Sequence, residues 1–239
     1  IKKDVDAILR DMNGLFTEMY AQRGRPSIPP ERLLKAKVLM ALYTVRSEHL
    51  FIEQLQYNLL FRWFLDMDLS EPVFDNSTFS KNQERFLKHG TVDLFFAKVV
   101  ELARDRGWVS DEHFTVDGTL IEAWASLKSF APKENPPAPS DDDPGNPTVD
   151  FKGQKRSNAT HQSTTDPEAR LYRKGAGKEA KLCFAAHALM ENRHGLCVNL
   201  TVRDAIAQTE PEVALEQLAA HRERHDATPR TVAADKNYH

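Results

Sequence analysis

The spacing of the apolar residues changes once along this 239-residue chain, and that change limits the fold more than any other feature. Up to about residue 105, apolar residues such as Phe95 and Val99 recur every three or four positions, which is the period of an amphipathic helix. Beyond that point the pattern alternates and is rich in β-branched residues, which is typical of strands. The sequence therefore predicts an α+β protein, with an all-helical domain over residues 1–110 and an α/β domain over residues 111–239.

The second domain has the predicted order strand, long insertion, strand, strand, helix, strand. Its first and last strands cover about 113–120 and 230–235, and a capping-box pattern that starts at Thr209 predicts the helix. In the two middle strands one alternating set is apolar and is predicted to face the core. This set comprises Leu182, Phe184, Ala186, Ala188 and Met190, followed by Leu196, Val198, Leu200 and Val202.

The insertion, over about 129–178, is rich in proline and in charge. Six of the 13 prolines fall between residues 131 and 147, so the sequence predicts an exposed segment without packed elements. The formal net charge of the chain is −3, yet residues 152–181 carry eight basic and three acidic residues. This basic stretch is either a surface for phosphate groups or a solvated loop, and the sequence leaves both readings open.

Two aspartates occupy strand positions where the pattern favours an apolar residue. Asp117 lies inside the first strand of the second domain, and Asp235 follows the last strand. Each could be a turn or capping carboxylate, but in an RNase H-like strand order the first and fourth strands are neighbours and the two acids meet. Two adjacent carboxylates repel each other unless a cation lies between them, and Mg²⁺ or Mn²⁺ prefers such oxygen ligands.

This pair of acids suggests metal-dependent phosphodiester chemistry. Paired ions can activate a water or a 3′-hydroxyl and stabilise the leaving oxygen of an in-line displacement. The reaction usually needs a third acidic ligand, and the sequence provides none that fits. Glu122 is an odd number of residues from Asp117 and so faces the other side of an extended strand, and Glu179 precedes its strand.

Several blocks of the sequence resemble bacterial insertion-sequence transposases. The resemblance covers nearly the whole chain outside the proline-rich insertion. Its blocks begin at Arg25-Pro-Ser-Ile-Pro-Pro, Tyr57-Asn-Leu-Leu-Phe-Arg-Trp-Phe, Ser77-Thr-Phe-Ser-Lys-Asn, Val116-Asp-Gly-Thr-Leu-Ile-Glu-Ala-Trp, Glu191-Asn-Arg-His-Gly and Ala234-Asp-Lys-Asn-Tyr.

The resemblance implies a DDE-type transposase with a helical N-terminal domain for DNA binding or assembly and an RNase H-like catalytic core. Such an enzyme binds the terminal inverted repeats of its element as double-stranded DNA, cuts there with Mg²⁺ and joins the ends to target DNA. It works as a homodimer or a higher assembly on DNA. Asp117 matches the first acid of the catalytic triad and Asp235 the second, and both would be metal ligands. The third, a glutamate, is expected beyond His239, so the chain is predicted to be C-terminally truncated, with an incomplete core that is inactive alone.

The basic residues Arg173, Lys174 and Lys178 match a stretch that the family carries at this place, and we expect them to contact the DNA backbone. Trp63, between Phe61 and Phe64, is interpreted as core of the helical domain rather than as a base-stacking platform.

Two other functions remain open: a catalytically inert DNA-binding module, and a helix-turn-helix transcription regulator with an apolar ligand pocket. No run of about 18 apolar residues is present, so no membrane span is predicted. With only two cysteines, the sequence predicts neither a disulfide scaffold nor a thiolate zinc site. A reducing, cytoplasmic location close to the nucleoid fits these features.

Overall fold

The computed structural model describes residues 1–20, 27–133, 157–173, 179–205 and 210–235. The chain divides into two compact units, Ile1–Asp105 and Arg106–His239. The first is helical and the second contains a mixed sheet, so the predicted α+β class is confirmed. Within the described residues, no helix combines the length and the apolar character that crossing a membrane requires.

The first unit is built from seven described helices. They are α1 (Lys2–Asp11), α2 (Asn13–Met19), α3 (Pro30–Leu42), α4 (Glu48–Tyr57), α5 (Leu59–Phe64), α6 (Ser77–Lys88) and α7 (Thr91–Asp105). Pro30 opens α3, where its missing N–H costs nothing. The side chain of Ser47 accepts a hydrogen bond from the Leu50 N–H and caps α4, as its place in the sequence predicts.

The apolar pattern predicts one continuous helix from Ser47 through Phe64, and this prediction is wrong. Asn58 separates α4 from α5, because its side-chain oxygen accepts hydrogen bonds from the N–H groups of Leu60 and Phe61 at 3.0 and 3.2 Å. An asparagine that binds the backbone two and three residues ahead starts a new helix instead of continuing the old one.

Aromatic rings fill the core of the first unit. The rings of Phe51 and Phe61 stack with centroids 5.3 Å apart, and Phe79 meets Phe51 edge-on at 6.1 Å. The prediction that Trp63 belongs to this core is wrong, since 58% of Trp63 is exposed and the Lys2 Nζ lies 5.6 Å from its ring centroid. Helix α5 buries Phe61 and Phe64, which are three residues apart, and Trp63 falls on its outer side.

The second unit contains seven described strands and one α-helix. They are β1 (His113–Glu122), β2 (Phe130–Pro132), β3 (His161–Ser163), β4 (Arg170–Tyr172), β5 (Lys181–Glu191), β6 (Leu196–Asp204), α8 (Glu210–His225) and β7 (Thr231–Ala233). Strand β5 pairs antiparallel with β1 on one edge, and with β4 and then β6 on the other. Strand β7 pairs with β1 in parallel, which makes the sheet mixed.

The ends of the proline-rich segment do not match the prediction of an exposed insertion. Strands β2 and β3 pair with each other, and β4 joins the main sheet. Phe130 and Ala169 are buried together with Leu182 of β5. Six of the prolines cluster between residues 131 and 147, whereas the flanks of the segment carry apolar residues that the sheet buries.

The predicted buried face of the main sheet is only partly confirmed, since Leu182, Ala186 and Val198 of the predicted set are buried but other members of the set are not. Leu200 and Val202 are 57% and 52% exposed, while the opposite face, with His187 and Leu189, is buried. Helix α8 covers that second face, and the Gln217 Nε2 donates a 2.8 Å hydrogen bond to the His187 carbonyl. Alternation separates the two faces of a strand, but the helix that packs on one of them decides which is buried.

Candidate active site

The pairing of β1 with β7 brings the two predicted acids towards each other. In this parallel ladder His113 lies opposite Thr231, and Thr115 lies opposite Ala233. The ladder ends at Ala233; if the same register were continued by two residues, Asp117 would lie opposite Asp235, and neighbouring strands are about 4.8 Å apart. Because both aspartates are an even number of residues from a paired position, that register gives them the same side of the sheet.

The surface beside Asp117 is open. Asp117 and Asp235 are exposed, and Asp117 is on the face that α8 does not cover. Across the ladder, Asp117 lies opposite Ala188 and Thr119 lies opposite Ala186. Ala186 is buried and Ala188 half-buried, and their short side chains do not project beyond the exposed carboxylate of Asp117.

A third acidic ligand is not found beside this pair. No group of three or more His, Cys, Asp or Glu side chains suited to a metal ion occurs in the described ranges. Glu122 lies opposite Cys183, on the other face of the sheet from Asp117, and forms an ion pair with Lys181. The parity argument that set Glu122 aside therefore agrees with the register.

Behind Asp117, the other face of β1 contains a cluster that sequence analysis missed. A Cβ at Gly118 would lie 2.9 Å from the Glu210 Oε1 and 3.4 Å from the His187 Nδ1, so the glycine leaves room for the carboxylate that opens α8. His187 is 2% exposed, and its ring nitrogens have no hydrogen-bond partner within the described part of the chain. Burial lowers the pKa of His187; Glu210 acts in the opposite direction, and Arg203 lowers it further. A glycine inside a strand is the signal that could have pointed to this close approach.

The turn that follows β5 is organised by a buried carboxylate. Glu191 is fully buried and accepts hydrogen bonds from the Ser110 hydroxyl at 2.5 Å and from the N–H groups of Arg193 and His194 at 3.0 and 2.9 Å. Burial raises the pKa of Glu191, but these hydrogen bonds outweigh it and the pKa is lowered. Gly195 ends the turn at a φ of 69°, where glycine is favoured. The block Glu191–Gly195 therefore shapes the β5–β6 turn.

Arg173, the predicted DNA contact that the structure describes, lies at the other end of the sheet from Asp117. Arg173 is exposed and directly follows β4, whose last residue lies opposite Lys181. Asp117 lies opposite Ala188, seven residues further along β5, which corresponds to roughly 23 Å. Lys174 and Lys178 lie outside the described residues.

Several basic residues of the first unit serve its internal structure. Lys35 is buried and forms ion pairs with Asp66 and Asp6. Arg62 is also buried and donates hydrogen bonds to the backbone carbonyls of Leu55, Asp68 and Glu71. These cations are occupied by the fold, so they are unsuited to bind phosphate groups.

Comparison with known proteins gives one match. Residues 2–85, from α1 into α6, match the family model described as Transposase domain (DUF772). No curated protein and no solved structure matches the chain. The matched domain supports a transposase family for this protein.

Proposed function

We propose that this protein is a DDE-type DNA transposase that binds the terminal inverted repeats of an insertion sequence and uses Asp117 and Asp235 for metal-dependent strand cleavage and transfer. The match of residues 2–85 to a transposase domain supports the general function. The observation that carries the chemistry is the register of β1 and β7, whose last pair is Thr115 with Ala233 and which would set Asp117 opposite Asp235 if it were extended by two residues.

The sheet order supports an RNase H-like core. Leaving out the short strands of the insertion, the strands in chain order are β1, β5, β6 and β7, and their order across the sheet is β6, β5, β1, β7. The first and fourth of them are therefore neighbours and parallel, as the RNase H-like order requires. This order makes neighbours of the two strands that carry Asp117 or lead to Asp235, which supports the proposal that the two acids act together.

The two carboxylates suit a small, hard cation. Mg²⁺ is commonly held by one or two carboxylates together with water and substrate phosphates, so a pair of exposed aspartates fits it without an all-protein cage. Asp117 and Asp235 would hold Mg²⁺ or Mn²⁺ on the open face of the sheet. A divalent ion in this place would activate the attacking hydroxyl and stabilise the leaving oxygen of the phosphodiester.

The chain's own residues would prepare the site in two ways. The ladder between β1 and β7 ends two residues before each acid, and it would limit the reorganisation needed on cation binding by fixing the strand ends that carry them. The alanines of β5 beside Asp117 leave space for a DNA strand, and Arg173 would contact phosphates farther along it. The partner would be double-stranded DNA, bound by at least two copies of the chain because two element ends must be joined.

Binding of Mn²⁺, followed by electron paramagnetic resonance, tests the metal site without requiring turnover. Asp117→Asn and Asp235→Asn should each weaken Mn²⁺ binding at least tenfold, because a neutral amide replaces a charged oxygen ligand. Asp226→Asn is a matched control, since Asp226 is exposed and has a φ of 48° that asparagine tolerates. Unchanged Mn²⁺ binding in both site variants would refute the proposed site.

The absence of a third acid from the described residues favours a second candidate, a DNA-binding module without chemistry. Gel-shift and cleavage assays on duplexes from the DNA that flanks the gene separate the two. The assays use a chain that continues past His239, where the resemblance expects the third acid. The transposase proposal predicts that this chain nicks the repeat ends in the presence of Mn²⁺ and that Asp117→Asn abolishes the nicking. Specific binding without nicking by that longer chain would favour the binding module.

A further inference from the structure

We infer that Trp124 is a stacking platform for an unpaired nucleobase of the bound DNA; this inference rests on the proposed DNA function. Trp124 is 99% exposed, more than any other large apolar side chain of the described residues. An indole with its whole surface in water gains free energy from any flat apolar partner that covers it, and a nucleobase is such a partner.

The other two tryptophans differ from Trp124 in their surroundings. The Lys2 Nζ lies 5.6 Å from the ring centroid of Trp63, and the guanidinium of Arg106 lies 5.0 Å from that of Trp108. No ring or cation contact to Trp124 occurs in the described ranges of the chain. Of the three indoles, Trp124 is therefore the one whose faces are open for a ligand.

The backbone on both sides of Trp124 is held in place. The Ala123 N–H donates a 2.9 Å hydrogen bond to the Leu182 carbonyl of β5, which extends the ladder past the end of β1. Ala123 and Ala125 pack against the small core formed by Phe130, Ala169 and Leu182. An exposed ring on an anchored backbone loses little freedom when a ligand stacks on it, so the platform is preorganised.

A cationic side chain lies at the same end of the sheet. Ala123 bonds to Leu182 from one side, while Leu171 of β4 pairs with Leu182 from the other. Two strand spacings of about 4.8 Å separate the two flanking strands, so the backbone of the exposed Arg173, just past β4, is expected roughly 10 Å from that of Trp124. An aromatic ring for the base and a guanidinium for the phosphate are the two elements of a single-strand binding site.

The position of Trp124 relates this site to the proposed chemistry. Trp124 follows Asp117 by seven residues along β1 and its extension, which corresponds to roughly 23 Å. Seven is an odd number, so Trp124, like Glu122, falls on the other face of the sheet from Asp117, and a bound strand would cross the edge of β1 to place its reactive phosphate at the acids and an unstacked base at Trp124. Capturing that base would favour the melted over the paired form of the DNA end.

Fluorescence of Trp124 provides the test. In the full chain with Trp63→Phe and Trp108→Phe, Trp124 is the only indole, and stacking should quench its emission. The probes are a single-stranded oligothymidylate, an abasic oligonucleotide of the same length and a duplex from the flanking DNA. We expect quenching by oligothymidylate and none by the abasic strand, since both carry the phosphates but only one carries bases.

Affinity measurements complete the test. Trp124→Ala should weaken oligothymidylate binding about 5- to 100-fold and leave duplex binding within about twofold, whereas Trp124→Phe should retain most of the affinity. Trp108→Phe is the matched control and should change neither. Duplex binding without quenching by oligothymidylate, or equal quenching by the abasic strand, would overturn this inference and leave the proposed function standing. Failure to bind any DNA would refute both.

Discussion

Replacing Glu191 by glutamine should destabilise the second unit more than any conservative change on its surface. The side chain is fully buried, and its two oxygens accept three hydrogen bonds. Suppose that the side-chain oxygen of the glutamine keeps the hydrogen bonds from Ser110 and Arg193. The amide nitrogen then replaces the carboxylate oxygen that accepts the 2.9 Å hydrogen bond from the His194 N–H in the native protein. Two donors then face each other in a buried turn.

The size of the effect follows from the bonds that change. Leaving one buried donor unsatisfied costs about 1–3 kcal/mol, and losing the charge weakens the two remaining bonds. We expect the free energy of unfolding to fall by about 2–4 kcal/mol, which lowers the melting temperature by about 4–16 °C at the scale of 2–4 °C per kcal/mol.

The pH dependence of this difference provides a second signature. The pKa of Glu191 is lowered in the folded state from the ordinary value of 4.5, so its charge adds stability above pH 4.5. That stability is lost as the pH falls through the lower, folded pKa. Glutamine does not titrate, so the gap between the two proteins should be full at pH 7 and should narrow below pH 4.5.

Urea titrations with hydrogen exchange at the amides of β1 and β5 measure this effect in the second unit alone. Glu216→Gln is the matched control, because Glu216 forms an exposed ion pair with Arg203 and should change stability by less than about 1 kcal/mol. A Glu191→Gln protein as stable as the control at pH 7, or a gap that is unchanged at pH 3.5, would show that the buried carboxylate does not support the turn.

Three further substitutions test other parts of the structure by urea unfolding. Arg62→Met should cost about 3–5 kcal/mol because three backbone carbonyls lose a charged donor, and a loss below 1 kcal/mol would contradict the buried role. Phe51→Ala should cost about 3–5 kcal/mol because it opens a cavity against the ring of Phe61, and a near-neutral result would place Phe51 outside the core. Gly118→Ala should cost less than about 1 kcal/mol, because the Glu210 carboxylate that its Cβ would meet is the end of a flexible side chain and can move aside; a loss above about 2 kcal/mol would show that Glu210 is fixed at this place.

Much of the fold could be predicted because its signals are local. The change from helical to alternating periodicity marks the two units, and Ser47 and the capping box at Thr209 mark the starts of helices. The positions of Asp117 and Asp235 on or just after strands also follow from the local pattern. Their catalytic role stays a prediction, since it depends on a cation and on DNA.

Two of the errors, on the buried face of the sheet and on Trp63, concern partners that are distant in sequence. Alternation in β6 shows that Leu200 and Val202 share a face, but helix α8 covers the other one and buries His187. Likewise, an aromatic run does not reveal that α5 buries Phe61 and exposes Trp63. Burial depends on which element packs on which face, and that information is not contained in the periodicity of a single segment.

By itself, the amino-acid sequence determined the class of the fold, the order β1, β5, β6, α8 and β7 in the second unit and the two acids worth following, because propensity, capping and periodicity act over a few neighbouring residues. Only the tertiary structure decided that β7 runs parallel to β1 in a register leading to Asp117 and Asp235, that Glu210 packs against Gly118 and that Trp124 is fully exposed. These features depend on contacts between segments separated by many residues, whose energies are set by how the whole unit packs.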